Sequence, residues 1–250
     1  DFLEVSLKLA KVSGGADDRY AYSFWGSGMF GMAAWYFNND TSPLTPDWSA
    51  SNLLDPKVAE TLQFLADLIL KHKVSPNPTG WNENEQLHAG HLAMRTCGRW
   101  CIGASLEAKF ESYDLQYQPH RAGPLKTVAG TDGWGVSTSS KNPQEAWSVV
   151  KLLSGPDASM DMVKLGGNIP ALRSVAEKPE FAEFGPANTK LFYESLDYAA
   201  TVPSPTNFNI IEPILNRHYA TIWNGEKSVE EALQAAHDEL QPEMDKLKNG

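Results

Sequence analysis

In Glu85-Gln-Leu-His-Ala-Gly-His-Leu-Ala-Met-Arg-Thr-Cys-Gly-Arg-Trp-Cys-Ile-Gly-Ala-Ser105 a helix ends, a short strand passes, the chain turns and a new helix starts. Gly90 is where the first helix stops, because glycine takes the left-handed cap conformation without a Cβ clash. Leu92, Ala93 and Met94 form an apolar run short enough for a buried strand. Gly98 breaks that run, and Trp100 stands just beyond it. In open α/β sheets ligands lie outside the carboxyl ends of strands, where such turns fall. Trp100 is therefore a candidate binding surface; the rival reading is a partly buried core or rim tryptophan.

Working outward, 250 residues can bury a sizeable core as one large or two small domains. Hydrophobic residues at 42% and charged residues at 21% describe an ordinary globular chain. No apolar run reaches the roughly 18 residues of a membrane-spanning helix. The 21 basic and 31 acidic side chains leave a formal charge of −10. Without a basic stripe to neutralise phosphates, nucleic acid is not an expected partner.

The eight tryptophans say more. An indole face stacks on the apolar C–H face of a sugar ring, and ligand pockets pair apolar walls with a few polar groups. The competing role is core filling, expected for Trp147 and Trp223. Cys97 and Cys101 are too few for a structural zinc site and are not spaced as Cys-x-x-Cys. In an oxidising compartment they could close a disulfide across the turn, geometry permitting.

Along the chain, residues 1–12 read as a helix ending at Ser13-Gly14-Gly15. Phe24, Gly28, Gly31 and Trp35 fall near one helical face within the aromatic stretch Tyr20–Phe37. Asp55 caps a helix reaching about Lys73, with Val58, Leu62, Leu65, Ile69 and Leu70 as its stripe. Leu115–Gln118 and Thr131–Ser139 read as strands. Asn142 and Pro143 open the helix that carries Ala146–Leu153. Ala187–Ala199 and Ile211–Trp223 read as helices. Ser228 followed by Glu231 is a capping box for the last one.

Enzymatic chemistry finds little support. Glu83 and Glu85 near Trp81 invite a glycosidase reading, but alternate residues on a helix do not face each other. They read better as first-turn acids favoured by the helix dipole. There is no Gly-x-Ser-x-Gly elbow, phosphate-binding glycine loop or His-Glu-x-x-His. His88 and His91, with Gly90 between them, are not expected to hold a metal.

The pattern helix–Gly–x–Leu-Ala-Met–x–x–x–Gly–x–Trp resembles the solute-binding proteins of ABC importers, in the carbohydrate-binding group. Three later stretches agree in order and spacing: Gly133-Trp-Gly-Val-Ser-Thr-Ser-Ser-Lys-Asn-Pro-Gln-Glu-Ala-Trp147, Gly166-Gly-Asn-Ile-Pro-Ala-Leu-Arg-Ser174 and Ile222-Trp-Asn-Gly-Glu-Lys-Ser-Val-Glu-Glu-Ala-Leu233. One departure is His88, where that family usually has Phe.

The resemblance implies a helix-rich α/β fold of the type II periplasmic-binding-protein kind, with two lobes and the first lobe incomplete. It divides the chain into 1–123 and 169–250 as C-terminal-lobe parts and 124–168 as a segment returning to the N-terminal lobe. The apolar Val136, Trp147, Val149 and Leu152 of that segment then need a sheet supplied from elsewhere, for which a separate chain carrying the missing lobe is a candidate partner.

The implied function is extracytoplasmic binding of a sugar or polyol and delivery to ABC permease subunits by hinge closure, without a cofactor or metal. The implied location is extracytoplasmic, either periplasmic or extracellular and membrane-anchored. A glycoside-processing enzyme, a polyol or glycerol-phosphodiester binder and a non-binding structural fragment are the alternatives. The matching stretches nominate Trp25, Arg99, Trp100, Gly133, Trp134, Asn207 and Phe208 as ligand-binding residues. Trp25 is also open to a core role. Arg99 offers a donor fork, Gly133 close backbone approach, Asn207 a donor and an acceptor, and Phe208 an apolar face.

Overall fold

The computed structural model describes residues 2–12, 15, 18–26 and 28–248. In chain order it runs α1 (Phe2–Leu9), β1 (Tyr20–Ser23), α2 (Gly28–Phe37), α3 (Pro56–Leu70), α4 (Glu83–His88), β2 (Leu92–Arg95), α5 (Cys101–Glu107) and β3 (Thr127–Ala129). There follow α6 (Pro143–Leu153), α7 (Pro156–Lys164), α8 (Arg173–Ala176), α9 (Glu180–Glu183), α10 (Lys190–Glu194), a 3-10 turn (Ser195–Tyr198), β4 (Ala199–Thr201), α11 (Phe208–Trp223) and α12 (Val229–Lys248). Two compact units result: residues 1–96, 118–129 and 198–250, and residues 97–117 and 130–197.

The first unit holds every strand named above. β1 and β2 pair in parallel, with Tyr20 opposite Leu92 and Tyr22 opposite Met94. β3 and β4 form a second parallel pair, Thr127 opposite Ala199. Pairs this short do not hold themselves together; they rest on a continuous apolar core from α2, α3, α11 and α12. α2 is buried nearly all round, so it reads as a core helix rather than a surface one. α3 starts where Asp55 accepts a bond from the Lys57 amide at 2.8 Å, and buries Val58, Leu62 and Leu65. At the start of α12, Ser228 and Glu231 satisfy each other's amides at 3.0 and 3.2 Å. The Tyr36 hydroxyl bonds that of Tyr219 at 2.7 Å. Trp223 is buried, edge-on to Phe24, and donates its indole N–H to the Gly26 carbonyl at 2.7 Å.

The second unit contains no strand among the described residues. Its interior is small: Ile102, Val163, Val175, Ala176 and Phe181, with Arg99, Ser105 and Thr189 buried among them.

Several local expectations are corrected. Thr131–Ser139 and Leu115–Gln118 are not strands; neither has a partner edge among the described residues, and alternation alone cannot supply one. Ala187–Ala199 breaks into α10, the 3-10 turn and β4, because Ala199 and Ala200 take up ladder bonds with β3. Phe24 lies outside α2, between it and β1. Asn142 precedes α6 without a side-chain cap bond; Pro143 alone marks the start. Trp147 is not core but 51% exposed. Ser13 and Gly14, in the expected stop after the first helix, lie outside the described residues. Within the second unit, 97–117, 130–168 and 169–197 group together. The bonds from Arg99 to the Val163 and Phe184 carbonyls show why.

Trp223→Ala should lower stability by about 3–5 kcal/mol, the range for emptying an aromatic site, and Trp223→Phe by less, since most of the volume stays. The denaturant midpoint followed by far-UV circular dichroism measures both.

Candidate ligand-binding residues

The turn after β2 is built from both ends. Cys97 and Cys101 are joined, their Cα atoms 6.3 Å apart. Between them Arg99 turns inward and is 1% exposed, while Trp100 turns outward and is 43% exposed. The Arg99 guanidinium donates from Nη2 to the carbonyls of Val163 at 3.1 Å and Phe184 at 3.3 Å, and from Nη1 to the carbonyl of Gly167. Its Cζ lies 4.9 Å from the centre of the Phe181 ring, within the range of a cation–π contact. Burial pulls its pKa down to about 10, so it stays charged at neutral pH. The structure thus places Arg99 differently from the expected ligand donor: both terminal nitrogens are committed to main chain.

Gly133 and Trp134 lie in an exposed loop of the same unit, the indole 62% exposed. A Cβ on Gly133 would meet nothing within 4 Å, so nothing in this structure crowds that backbone. Nearby, Asn168 donates to the Asp132 carboxylate.

Trp25, Asn207 and Phe208 belong to the first unit. Trp25 is 40% exposed, with its ring 6.3 Å from that of Phe30. The main chain of Gly31 runs beside it so closely that a Cβ there would sit 2.6 Å from the Trp25 Cβ. Asn207 precedes α11 and is 7% exposed; its amide donates to the Glu243 carbonyl at 3.1 Å. Its Oδ1 is buried without a hydrogen-bond partner among the described residues. Phe208 is half-buried against the core.

Sequence reasoning missed two arrangements in this unit. At the carboxyl end of β1 the Ser23 hydroxyl donates to the Glu83 carboxylate. Burial raises the Glu83 pKa against the opposing pull of Ser23 and Arg95. Asn82 caps α4 by accepting from the Glu85 amide at 3.3 Å, so the dipole reading of the first turn was incomplete: Glu83 serves the strand. The nearby Trp81, whose ring meets Tyr20 edge-on, was the signal available. The second arrangement holds the start of α2. Asn216 accepts from the Gly28 amide, and Glu212, its pKa raised by burial, accepts from the Met29 amide. Both come from α11, with a spacing of four that places them on one face. Among the described residues no group of three or more His, Cys, Asp or Glu side chains could hold a metal ion.

A family described as bacterial extracellular solute-binding protein matches residues 1–189. A comparison with curated proteins gave no match. Solved structures with the same fold include an ABC substrate-binding protein from Listeria monocytogenes in complex with cycloalternan, 19% identical with a TM-score of 0.81, over 99% of this chain and 63% of that one. An ABC transporter solute-binding protein from Thermotoga lettingae bound with α-D-tagatose is 23% identical with a TM-score of 0.84, over 97% and 63%. The maltose/maltodextrin-binding domain MalE from Bdellovibrio bacteriovorus, bound to maltotriose, is 16% identical with a TM-score of 0.82, over 98% and 65%. The chain therefore has the helix-rich α/β fold of two-lobed solute-binding proteins and spans less than two thirds of their length. No helix among the described residues is long and apolar enough to cross a membrane.

The raised pKa of Glu83 fixes the sign of a pH effect. Its folded state holds a proton more tightly than the unfolded state, so its contribution to stability is full below the ordinary glutamate pKa and is lost as pH rises through the folded value. Glu83→Gln keeps an acceptor for Ser23 and removes that loss. The variant should melt above the parent near pH 7, and the gap should shrink toward pH 4. Thermal scans across that range measure it; a gap independent of pH would show that the carboxylate is not held as described.

Proposed function

The chain belongs to the bacterial extracellular solute-binding proteins, and on that premise we propose that it binds a carbohydrate outside the cytoplasm and delivers it to the permease subunits of an ABC importer. The observation that carries this reading is the exposure of Trp25, Trp100 and Trp134 in stretches separated widely along the chain. Most large aromatics of the first unit are buried, whereas these three indoles are each 40% exposed or more. A sugar ring offers C–H faces to stack on such indoles and hydroxyls for polar side chains, for which Asn207 is the nominee. Phe208 adds an apolar flank, Gly133 leaves the main chain accessible, and Arg99 holds the turn that carries Trp100.

The mechanism is non-covalent: a ligand touching both lobes stabilises the closed arrangement by its differential contacts. In this reading 1–123 and 169–250 serve the C-terminal lobe, and 124–168 returns to the N-terminal lobe. The remainder of that lobe comes from further sequence or a separate chain. The exposed Trp147, Val149 and Leu152 of α6 support it, because an apolar helix face of this kind is ordinarily covered. The protein would act in the periplasm or tethered to the outer face of the membrane. Because structural relatives hold tagatose, maltotriose and cycloalternan, a panel from monosaccharides to cyclic and linear oligosaccharides, with polyols, is the first screen.

A member of that panel should raise the melting temperature, since a ligand that binds only the folded state at 100 times its Kd adds about 2.7 kcal/mol. Trp100→Ala should then weaken binding by on the order of 1–3 kcal/mol, as for loss of one aromatic stacking platform, with an unchanged far-UV spectrum. Calorimetric titration measures it. No shift with any sugar or polyol would overturn the carbohydrate reading, and unchanged affinity would remove Trp100 from the site.

A further inference from the structure

We infer that Gly98, Arg99 and the Cys97–Cys101 bridge are positioning residues that fix the Trp100 indole in place before any ligand arrives. The inference rests on the reading of Trp100 as a sugar platform.

Three restraints meet on this turn. The bridge clamps its two ends, with Cα atoms 6.3 Å apart, and leaves only Gly98, Arg99 and Trp100 between them. Arg99 is drawn inward by carbonyls from three places: Val163 near the end of α7, Gly167 in the glycine pair beyond it, and Phe184 after α9. With the ends clamped and residue 99 anchored inside, the next side chain leaves on the other side. The fork geometry matters, because a lysine ammonium is a point donor and cannot hold divergent carbonyls in one plane.

Gly98 supplies the seat. A Cβ built on it would lie 2.0, 2.2 and 2.5 Å from Cζ3, Cη2 and Cε3 of the Trp100 ring. The indole therefore packs directly against the Gly98 main chain. Gly98 is not among the glycines with positive φ, so its backbone conformation is open to alanine. What glycine provides here is space, and Gly98→Ala should move the ring while leaving the fold alone.

A platform ordered in advance spares the ligand the cost of ordering it. Removing any restraint should thus weaken binding even though none of the three touches the sugar in this scheme.

The test uses the whole chain with Gly98→Ala, the double variant Cys97→Ala/Cys101→Ala, Arg99→Lys and Trp100→Phe. Near-UV circular dichroism of the parent minus that of Trp100→Phe gives the signal of this indole. Maltotriose is the titrant. We expect Gly98→Ala to keep the parent's far-UV spectrum and melting temperature, to lose or invert the Trp100 signal, and to weaken maltotriose on the order of tenfold. The double cysteine variant should reduce the same signal and raise acrylamide quenching of Trp100, and Arg99→Lys should not restore what the guanidinium provides. An unchanged Trp100 signal in both Gly98→Ala and the double cysteine variant would overturn the inference. So would a changed signal with maltotriose affinity intact. If the parent does not bind maltotriose or any other sugar while the Trp100 signal responds as expected, the positioning stands and the carbohydrate reading is what fails.

Discussion

Arg99 is a cation buried without a carboxylate partner among the described residues, and the second unit is arranged around solving that problem. An unpaired buried charge is costly. Here the compensation is distributed: three carbonyls, one of them near the C-terminal end of α7 where the helix dipole favours positive charge, and the face of Phe181 below. One guanidinium nitrogen, Nε, is left without a partner among the described residues, and burial lowers the pKa without discharging the group. Three separate pieces of chain must stay in register for those bonds to form. In a unit with few buried apolar side chains and no sheet, that requirement and a covalent bridge do what a larger core does elsewhere.

The first unit solves the opposite problem. Its core is continuous and aromatic, and its strands are too short to organise it. Helices therefore position the strands, not the reverse. α11 is central to this. Trp223 reaches the Gly26 carbonyl, Tyr219 reaches Tyr36, and Asn216 and Glu212 hold the first amides of α2. These bonds fasten the chain on the C-terminal side of Trp25. A surface tryptophan can be a defined feature of a structure only when the backbone under it has nowhere else to go.

These two solutions were unequally visible in the sequence. β2, α3, the capping box at Ser228 and the burial of Trp223 were legible because each depends on local periodicity or on a residue type with one strong preference. β3 and β4 were not, since a three-residue strand is defined by its partner across the chain rather than by its own pattern. The same failure in reverse produced a false strand at Thr131–Ser139. Trp147 was misplaced because an indole on an amphipathic helix looks like core whether or not a neighbour covers it. Arg99 was read as a ligand donor for a comparable reason: a guanidinium beside a turn glycine suggests recognition, and only coordinates reveal that carbonyls of the same chain already occupy it. The exposure of Trp100 and the burial of the Asn207 Oδ1 were not legible either, because surroundings rather than residue type decide both.

The contrast between the neighbours Arg99 and Trp100 bears on how lobe closure could be driven. A ligand shifts an equilibrium between open and closed arrangements only by the difference in its affinity for the two. Binding free energy spent on ordering a mobile indole contributes nothing to that difference, because the indole must be ordered in either arrangement for the ligand to stack on it. On the proposed reading, a ring already seated on Gly98, with its turn clamped by a bridge and by the buried guanidinium, raises affinity for both arrangements alike and leaves the difference between them to other contacts. The contacts made only on closure then set the population. A rigid platform on one side and a selective partner surface on the other are what a non-covalent carrier needs, since a ligand held equally well in both arrangements would signal nothing to a permease.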